Sequence, residues 1–201
     1  MLVTVAGLKG GVGRSTTAIH LACYLATRGA VALIDDDPNR TALIWSQRGP
    51  KLPFDVIDAK QGIDLESYEH LIIDSPMRPS QETLQEIARP GHYLVLPTTP
   101  DTFALDPLLP TLQAFRDLQA QHYSVLLTQC PSQDTQTMTA ARQALSGFPL
   151  FTHVVRRFSA YEKSAILGVP VYAVKTLDSH AADAWSDYEQ VGNELIWKLT
   201  H

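Results

Sequence analysis

Cysteine is scarce in this chain: Cys23 and Cys130 are the only two among 201 residues, and neither sits in a C-x-x-C pair. That usage argues against a zinc or iron–sulfur site and against a disulfide framework. Seven histidines, at positions 20, 70, 92, 122, 153, 180 and 201, show no metal-ligand spacing. No apolar run approaches the ~20 residues of a membrane-spanning helix, and the N-terminus lacks the pattern of an export signal, so a cytoplasmic protein is expected. Low-complexity tracts, charge blocks and internal repeats are absent too. With 45% apolar residues the chain can bury a full core, and one domain over residues 1–201 is expected.

What is present is alternation. Strand-like apolar runs recur at Leu2 to Ala6, Val31 to Ile34, Phe54 to Ile57, Leu71 to Ile73, Tyr93 to Leu96, Tyr123 to Leu127 and Phe151 to Val155. Helical patterns lie between most of them, at Thr16 to Thr27, Gln81 to Arg89, Pro107 to Gln119 and Thr135 to Leu145. This predicts parallel strands joined by right-handed crossover helices, a doubly wound α/β sheet of seven or eight strands. A last helix is expected over Ala181 to Leu199, with Trp185, Tyr188, Val191, Leu195 and Leu199 on one face. Its polar side carries Asp183, Asp187, Glu189 and Glu194 against Lys198 alone. That is the wrong sign for an anionic bilayer, so the helix reads as docked on the core.

The first turn of this pattern carries chemistry. Lys9-Gly10-Gly11-Val12-Gly13-Arg14-Ser15-Thr16 leaves a strand and opens a helix. Glycines there let the backbone take positive φ and approach phosphate oxygens, with free N–H groups around them. Ser15 and Thr16 fall at the helix N-terminus, where a hydroxyl can ligate Mg²⁺ and the helix dipole favours an anion. Against the standard loop, G-x-x-x-x-G-K-[ST], the chain departs twice: Leu8 stands for the first glycine and Arg14 for the lysine. Two further strands end in acids. Val31 to Ile34 runs into Asp35, Asp36, Asp37 and Pro38, and Leu71 to Ile73 into Asp74, Ser75 and Pro76. Strand C-termini are where open α/β sheets place ligands, and adjacent carboxylates call for a counter-charge such as hydrated Mg²⁺.

Taken in this order, the three segments resemble the ParA/MinD family of deviant-Walker-A P-loop ATPases, in particular its short ParA-type partitioning members. The glycine stretch is similar to the family motif K-G-G-x-G-K-[ST], the Asp35–Pro38 segment to D-x-D-P, and Leu71 to Asp74 to a Walker B strand. The resemblance implies ATP or ADP held by Gly10, Gly11, Val12, Gly13, Arg14, Ser15 and Thr16. It implies Mg²⁺ at Ser15, Asp35 and Asp74, a water oriented by Asp37, and Lys9 reaching the partner's nucleotide in an ATP-dependent homodimer. Pro97, in a proline-containing loop at a strand end, would face the pocket. Gln129, where relatives carry a base-contacting residue, offers a donor and an acceptor to adenine. The lack of paired cysteines separates the chain from cluster-carrying relatives. Because it opens directly on its first strand, no helix-turn-helix domain is expected ahead of it.

Arg14 bears on mechanism. Phosphoryl transfer is mostly positioning and charge stabilisation, and a planar guanidinium cannot take the point position of an ammonium. Binding is expected to survive, with slow hydrolysis in which Lys9, Arg14 and Asp37 are the catalytic set.

Overall charge is −5, which opposes binding to phosphate backbones. Locally the sign reverses: from Arg142 to Lys175 five bases face one acid, a net +4, while residues 176–201 carry five acids and one lysine, a net −4. Arg156, Arg157, Lys163 and Lys175 are therefore candidate contacts to non-specific DNA, with an ordinary mixed-charge surface as the alternative. Together the resemblance implies a partitioning ATPase whose ATP dimer binds the nucleoid and is released by a ParB-like adaptor, with no membrane partner. Two alternatives stand beside it: a nucleotide-dependent positioning switch for a non-DNA cargo, and a small-molecule ligase or kinase of the dethiobiotin synthetase type.

Overall fold

The computed structural model describes residues 1–62, 64–78, 80–86, 91–133 and 135–201. Among them six strands form one sheet: β1 (Leu2–Gly7), β2 (Val31–Asp35), β3 (Asp55–Asp58), β4 (His70–Met77), β5 (His92–Thr98) and β6 (Tyr123–Leu127). Their order is β3-β2-β4-β1-β5-β6, and every pairing is parallel. Among the described residues, seven α-helices connect or cover them: α1 (Arg14–Leu25), α2 (Thr41–Arg48), α3 (Gln81–Glu86), α4 (Thr102–Asp117), α5 (Gln136–Ala144), α6 (Ser159–Leu167) and α7 (Ala181–Thr200). A 3-10 helix over Val171–Val174 joins α6 to α7.

The strands are apolar throughout because both faces are covered. Along β5, Tyr93 and Val95 join one core with α1, Trp45 of α2, and Tyr188, Val191 and Leu195 of α7. The alternate residues Leu94 and Leu96 join the opposite core, with Leu105, Leu108, Leu112 and Phe115 of α4 and Met138 and Ala141 of α5. The period-2 alternation of a strand assigns each side chain to its layer. The final helix docks on the first of these cores, as its apolar face predicts.

The expected seventh strand is not formed. Phe151 to Val155 runs beside β6, but only isolated bridges flank it, Val125 with Leu150 and Cys130 with Arg156. Phe151 N–H donates to the Val125 carbonyl at 2.9 Å and Val155 N–H to Leu127 at 2.9 Å. Between them the Glu194 carboxylate takes the backbone N–H groups of Thr152 (2.9 Å) and His153 (3.2 Å). A side chain of α7 thus takes the His153 donor that lies between the two ladder donors, and among the described residues the sheet has six strands rather than the seven or eight expected.

Helix boundaries moved for equally local reasons. α4 begins at Thr102 rather than Pro107 because Asp101 caps it, accepting from Ala104 N–H at 3.1 Å. Pro107 and Pro110 lie on its exposed side. Of the helix expected over Gln81 to Arg89, Gln81–Glu86 is observed and residues 87–89 lie outside the described residues. No helical periodicity announces α2, which buries only Ala42 and Trp45. It is held from outside: Arg48 donates to the Ala165 carbonyl of α6 at 2.9 Å.

Candidate functional site

The strand ends of β1, β2 and β4 meet at one edge of the sheet. The chain leaves β1 through Lys9 to Gly13, with Gly11 at φ 79° and Gly13 at φ 80°, and α1 starts immediately at Arg14. Left-handed geometry at these two points suits glycine. No acidic residue occupies the first turn of α1, so its positive end faces outward uncompensated. The loop is anchored from beneath by Thr128, whose buried hydroxyl donates to Val12 C=O at 2.7 Å, with Thr98 C=O 3.2 Å away.

A cavity of about 660 Å³ opens over this loop, lined by the loop itself and by Asp37, Asn39, Thr41 and Gln129. Lys9 stands on its rim, 3.5 Å from Asp101 Oδ1 and over the ring of Phe103. A neighbouring cavity of about 420 Å³ shares Gly13, Thr16 and Gln129 and extends past Arg157 and Phe158. Together the two suit an elongated ligand with a phosphate chain at one end and a planar group at the other.

Behind the first cavity lies an acidic cluster. Asp37 Oδ2 accepts from Arg14 Nη2 at 2.7 Å, and its Oδ1 accepts from Asn39 N–H at 3.2 Å. Asp35 is committed to the backbone: Asp37 N–H donates to Oδ1 at 3.1 Å and Leu43 N–H to Oδ2 at 2.9 Å, fixing the start of α2. Asp36 is exposed. Asp74 is fully buried, with its Oδ1 3.4 Å from Arg14 Nε in an ion pair that falls short of hydrogen-bond geometry. Burial pushes its carboxyl up to about 7, against the downward pull of Ser15 and Arg14. A buried carboxyl held only by a loose ion pair, beside a serine at a helix start, is a donor set that a hard divalent cation fits.

Of the expected ligand contacts, Lys9, Gly10, Gly11, Gly13, Arg14, Ser15, Thr16, Asp37 and Gln129 all line the cavity. Val12 is buried, and Pro97 lies beneath the loop beside Leu8 and Val12 rather than on the cavity wall. Gln129 points its amide nitrogen at the Gly11 carbonyl. Asp101, Phe103, Asn39 and Thr41 were not singled out by sequence. Asp-Pro-Asn and a capping aspartate are common turn chemistry, and only tertiary proximity marks them.

The four basic candidates divide. Arg156 grips Asp187 bidentately (Nη2 to Oδ1 2.7 Å, Nε to Oδ2 3.1 Å), and Lys163 pairs with Asp178 at 3.0 Å. Arg157 and Lys175 are exposed, with no ion pair among the described residues. Among the described residues, no helix is long and apolar enough to cross a membrane.

Known proteins resemble this chain along nearly all of its length. It is 31% identical to "Maintenance of carboxysome distribution protein A" of Gloeobacter kilaueensis, covering 96% of this chain and 93% of that one. It is 26% identical to the protein of the same name from Halothiobacillus neapolitanus, over 96% and 95%. A "Protein ParA" of Rhizobium radiobacter is 49% identical but over only 24% of this chain and 22% of its own length. Among solved structures, a variant of McdA from Cyanothece in its ATP complex superposes with a TM-score of 0.70 at 17% identity, covering 97% of this chain and 95% of that chain. The cell division protein MinD of Aquifex aeolicus superposes at 0.69 with 13% identity, covering 97% and 96%. At those identities the structural likeness speaks for the fold alone. Residues 3–171 match the CobQ/CobB/MinD/ParA nucleotide-binding domain, and the chain belongs to that family, with the ParA/MinD P-loop ATPase fold.

Proposed function

We propose that this protein is an ATP-driven positioning ATPase. ATP closes two copies into a dimer, the dimer holds DNA without sequence preference, and an adaptor in the role of ParB triggers hydrolysis and release. The observation that carries this reading is the convergence of Lys9, the glycine loop, Arg14 and Asp37 on one cavity. The triphosphate would lie on the loop amides, with its base along the adjoining cavity by Gln129 and Phe158. Mg²⁺ would be held by Ser15, Asp74 and Asp35 and would neutralise phosphate charge. Asp37 then orients the attacking water, and Lys9 reaches into the partner's site. Arg14 keeps turnover slow.

For cargo, the near-full-length relatives favour a protein assembly of the carboxysome kind over a plasmid, since the ParA match spans a quarter of the chain. DNA would meet Arg157 and Lys175, because Arg156 and Lys163 are already neutralised. Plasmid or chromosome partitioning is the second reading, supported by that local ParA match. Light scattering with ATP, ADP and no nucleotide tests the switch, and DNA anisotropy under the same conditions tests the surface. A mass that stays monomeric with ATP, with turnover that responds to a small substrate instead, would favour the ligase reading.

A further inference from the structure

Arg14 does more than replace a lysine in the loop. Its side chain turns back beneath the loop, its stem passing Gly7, until the guanidinium lies between Asp37 and Asp74. There it is only 11% exposed, and its Nε and Nη1 find no hydrogen-bond partner. Arg14 Nε and Asp74 Oδ1 therefore face each other at 3.4 Å, both buried, without the alignment of a hydrogen bond. An ion pair in such geometry recovers little of the desolvation of either charge. One guanidinium also leaves Asp35, Asp37 and Asp74 short of positive charge. The arrangement is a counter-charge that can be exchanged.

We propose that Arg14 is an internal competitor for the divalent-cation site: its guanidinium occupies the acidic cluster, and Asp74 becomes available to a metal ion only when Arg14 is turned out toward a bound triphosphate. This rests on the nucleotide-site reading above and adds a regulatory consequence to it. Phosphate gives the guanidinium a new anion at the moment the metal needs its carboxylates, so nucleotide and cation enter as a coupled pair. The same movement frees Asp37, which Arg14 holds at 2.7 Å. A lysine has a shorter reach and a single point charge, so it would not span both carboxylates in this way.

The probe is Mn²⁺ without nucleotide, followed by the electron paramagnetic resonance signal of the free ion, on the full chain and on Arg14→Gln. Arg14→Gln is expected to bind Mn²⁺ at least about tenfold more tightly than the unmodified chain and to gain several degrees of melting temperature from it, while the unmodified chain gains none. Equal Mn²⁺ affinity in the two proteins, within about twofold, overturns the proposal. Should Arg14→Gln fail to fold, Arg14→Lys decides: a gain of threefold or more supports competition, and no gain overturns it. Binding of a fluorescent ATP analogue is measured in parallel on the unmodified chain. Failure there defeats the nucleotide-site reading, whereas nucleotide binding with unchanged Mn²⁺ affinity defeats only the role of Arg14.

Discussion

Lys9 Nζ lies 3.5 Å from Asp101 Oδ1, so the lysine expected to act across a dimer is held by its own chain. Phe103, 80% exposed, stands beside it. Both side chains of the pair are about half exposed, and such pairs are worth at most about 1 kcal/mol. That is strong enough to bias Lys9 and weak enough to release it. Asp101→Asn removes the charge and keeps the cap on α4. ATP-dependent dimers of this variant should form at roughly threefold lower protein concentration, read by light scattering. Asp101→Ala, which also loses the cap, should cost about 1 kcal/mol of stability.

In the proposed mechanism the water is oriented by Asp37. Asp37→Ala should lower phosphate release by about 10²-fold and leave ADP binding intact, because the loop amides do not depend on it. Coupled phosphate assays and nucleotide titration separate the two effects. Undiminished turnover would remove Asp37 from the mechanism.

Thr128 tests how far loop anchoring matters. Its hydroxyl serves the buried Val12 carbonyl, so Thr128→Val leaves an acceptor unpaired inside the protein and should cost about 1–2 kcal/mol of stability. Nucleotide affinity should fall about fivefold, equivalent to ~1 kcal/mol, as the loop loses its preset shape. Calorimetric titration gives that number directly.

His20 gives a pH signature. It is completely buried, its Nε2 accepts from Val171 N–H at 3.1 Å, and its Nδ1 donates to Thr16 C=O at 2.7 Å. The ring stacks on Tyr188 at 4.9 Å. Burial lowers its pKa from 6.5 to about 4. Between those values the unfolded chain binds the extra proton, so His20 stabilises fully above about 6.5, and that stability drains away as pH falls toward 4. Asp74, raised from 3.8 to about 7, tilts the other way, with stability falling as pH rises across that range. Comparing His20→Gln with the parent cancels Asp74. The destabilisation caused by the substitution should be about 3 kcal/mol smaller at pH 4 than at pH 7, measured by urea unfolding. A pH-independent difference would show that His20 titrates normally.

Gly192 fixes the seating of α7. A Cβ there would come within 2.4 Å of the Tyr24 ring, which is buried and tied to Asn193 and Arg28. Alanine is worth about 1 kcal/mol over glycine in a helix, but overpacking costs about 1–3 kcal/mol. With the ring held on both sides the clash should win. Gly192→Ala is expected to lower the melting temperature by several degrees in scanning calorimetry, and a rise would mean that Tyr24 can move aside.

Much of this was readable in one dimension. Strands such as Val31 to Ile34 announce themselves because burial on both faces demands unbroken apolar residues, and the loop from Lys9 to Thr16 because left-handed turns demand glycine. α2 was silent, since two buried residues set no periodicity and it is held by remote partners, Asp35 at its start and Ala165 of α6 at its end. Phe151 to Val155 has a strand's composition but lost its ladder to Glu194, forty residues away. The basic segment told only half its story: Arg156 and Lys163 carry charge in the sequence, and their partners Asp187 and Asp178 arrive from α7 and the turn before it.

Order along the chain was enough to determine which layers form, where the phosphate loop lies and which strand ends carry acid, because those depend on short-range sterics and on the period of a strand or helix. Folding alone decided how the charges pair. Electrostatic partnership depends on distance through space, and whether Arg14 meets Asp74, Lys9 meets Asp101 or Arg156 meets Asp187 is set only when remote elements are packed within a few ångströms of one another.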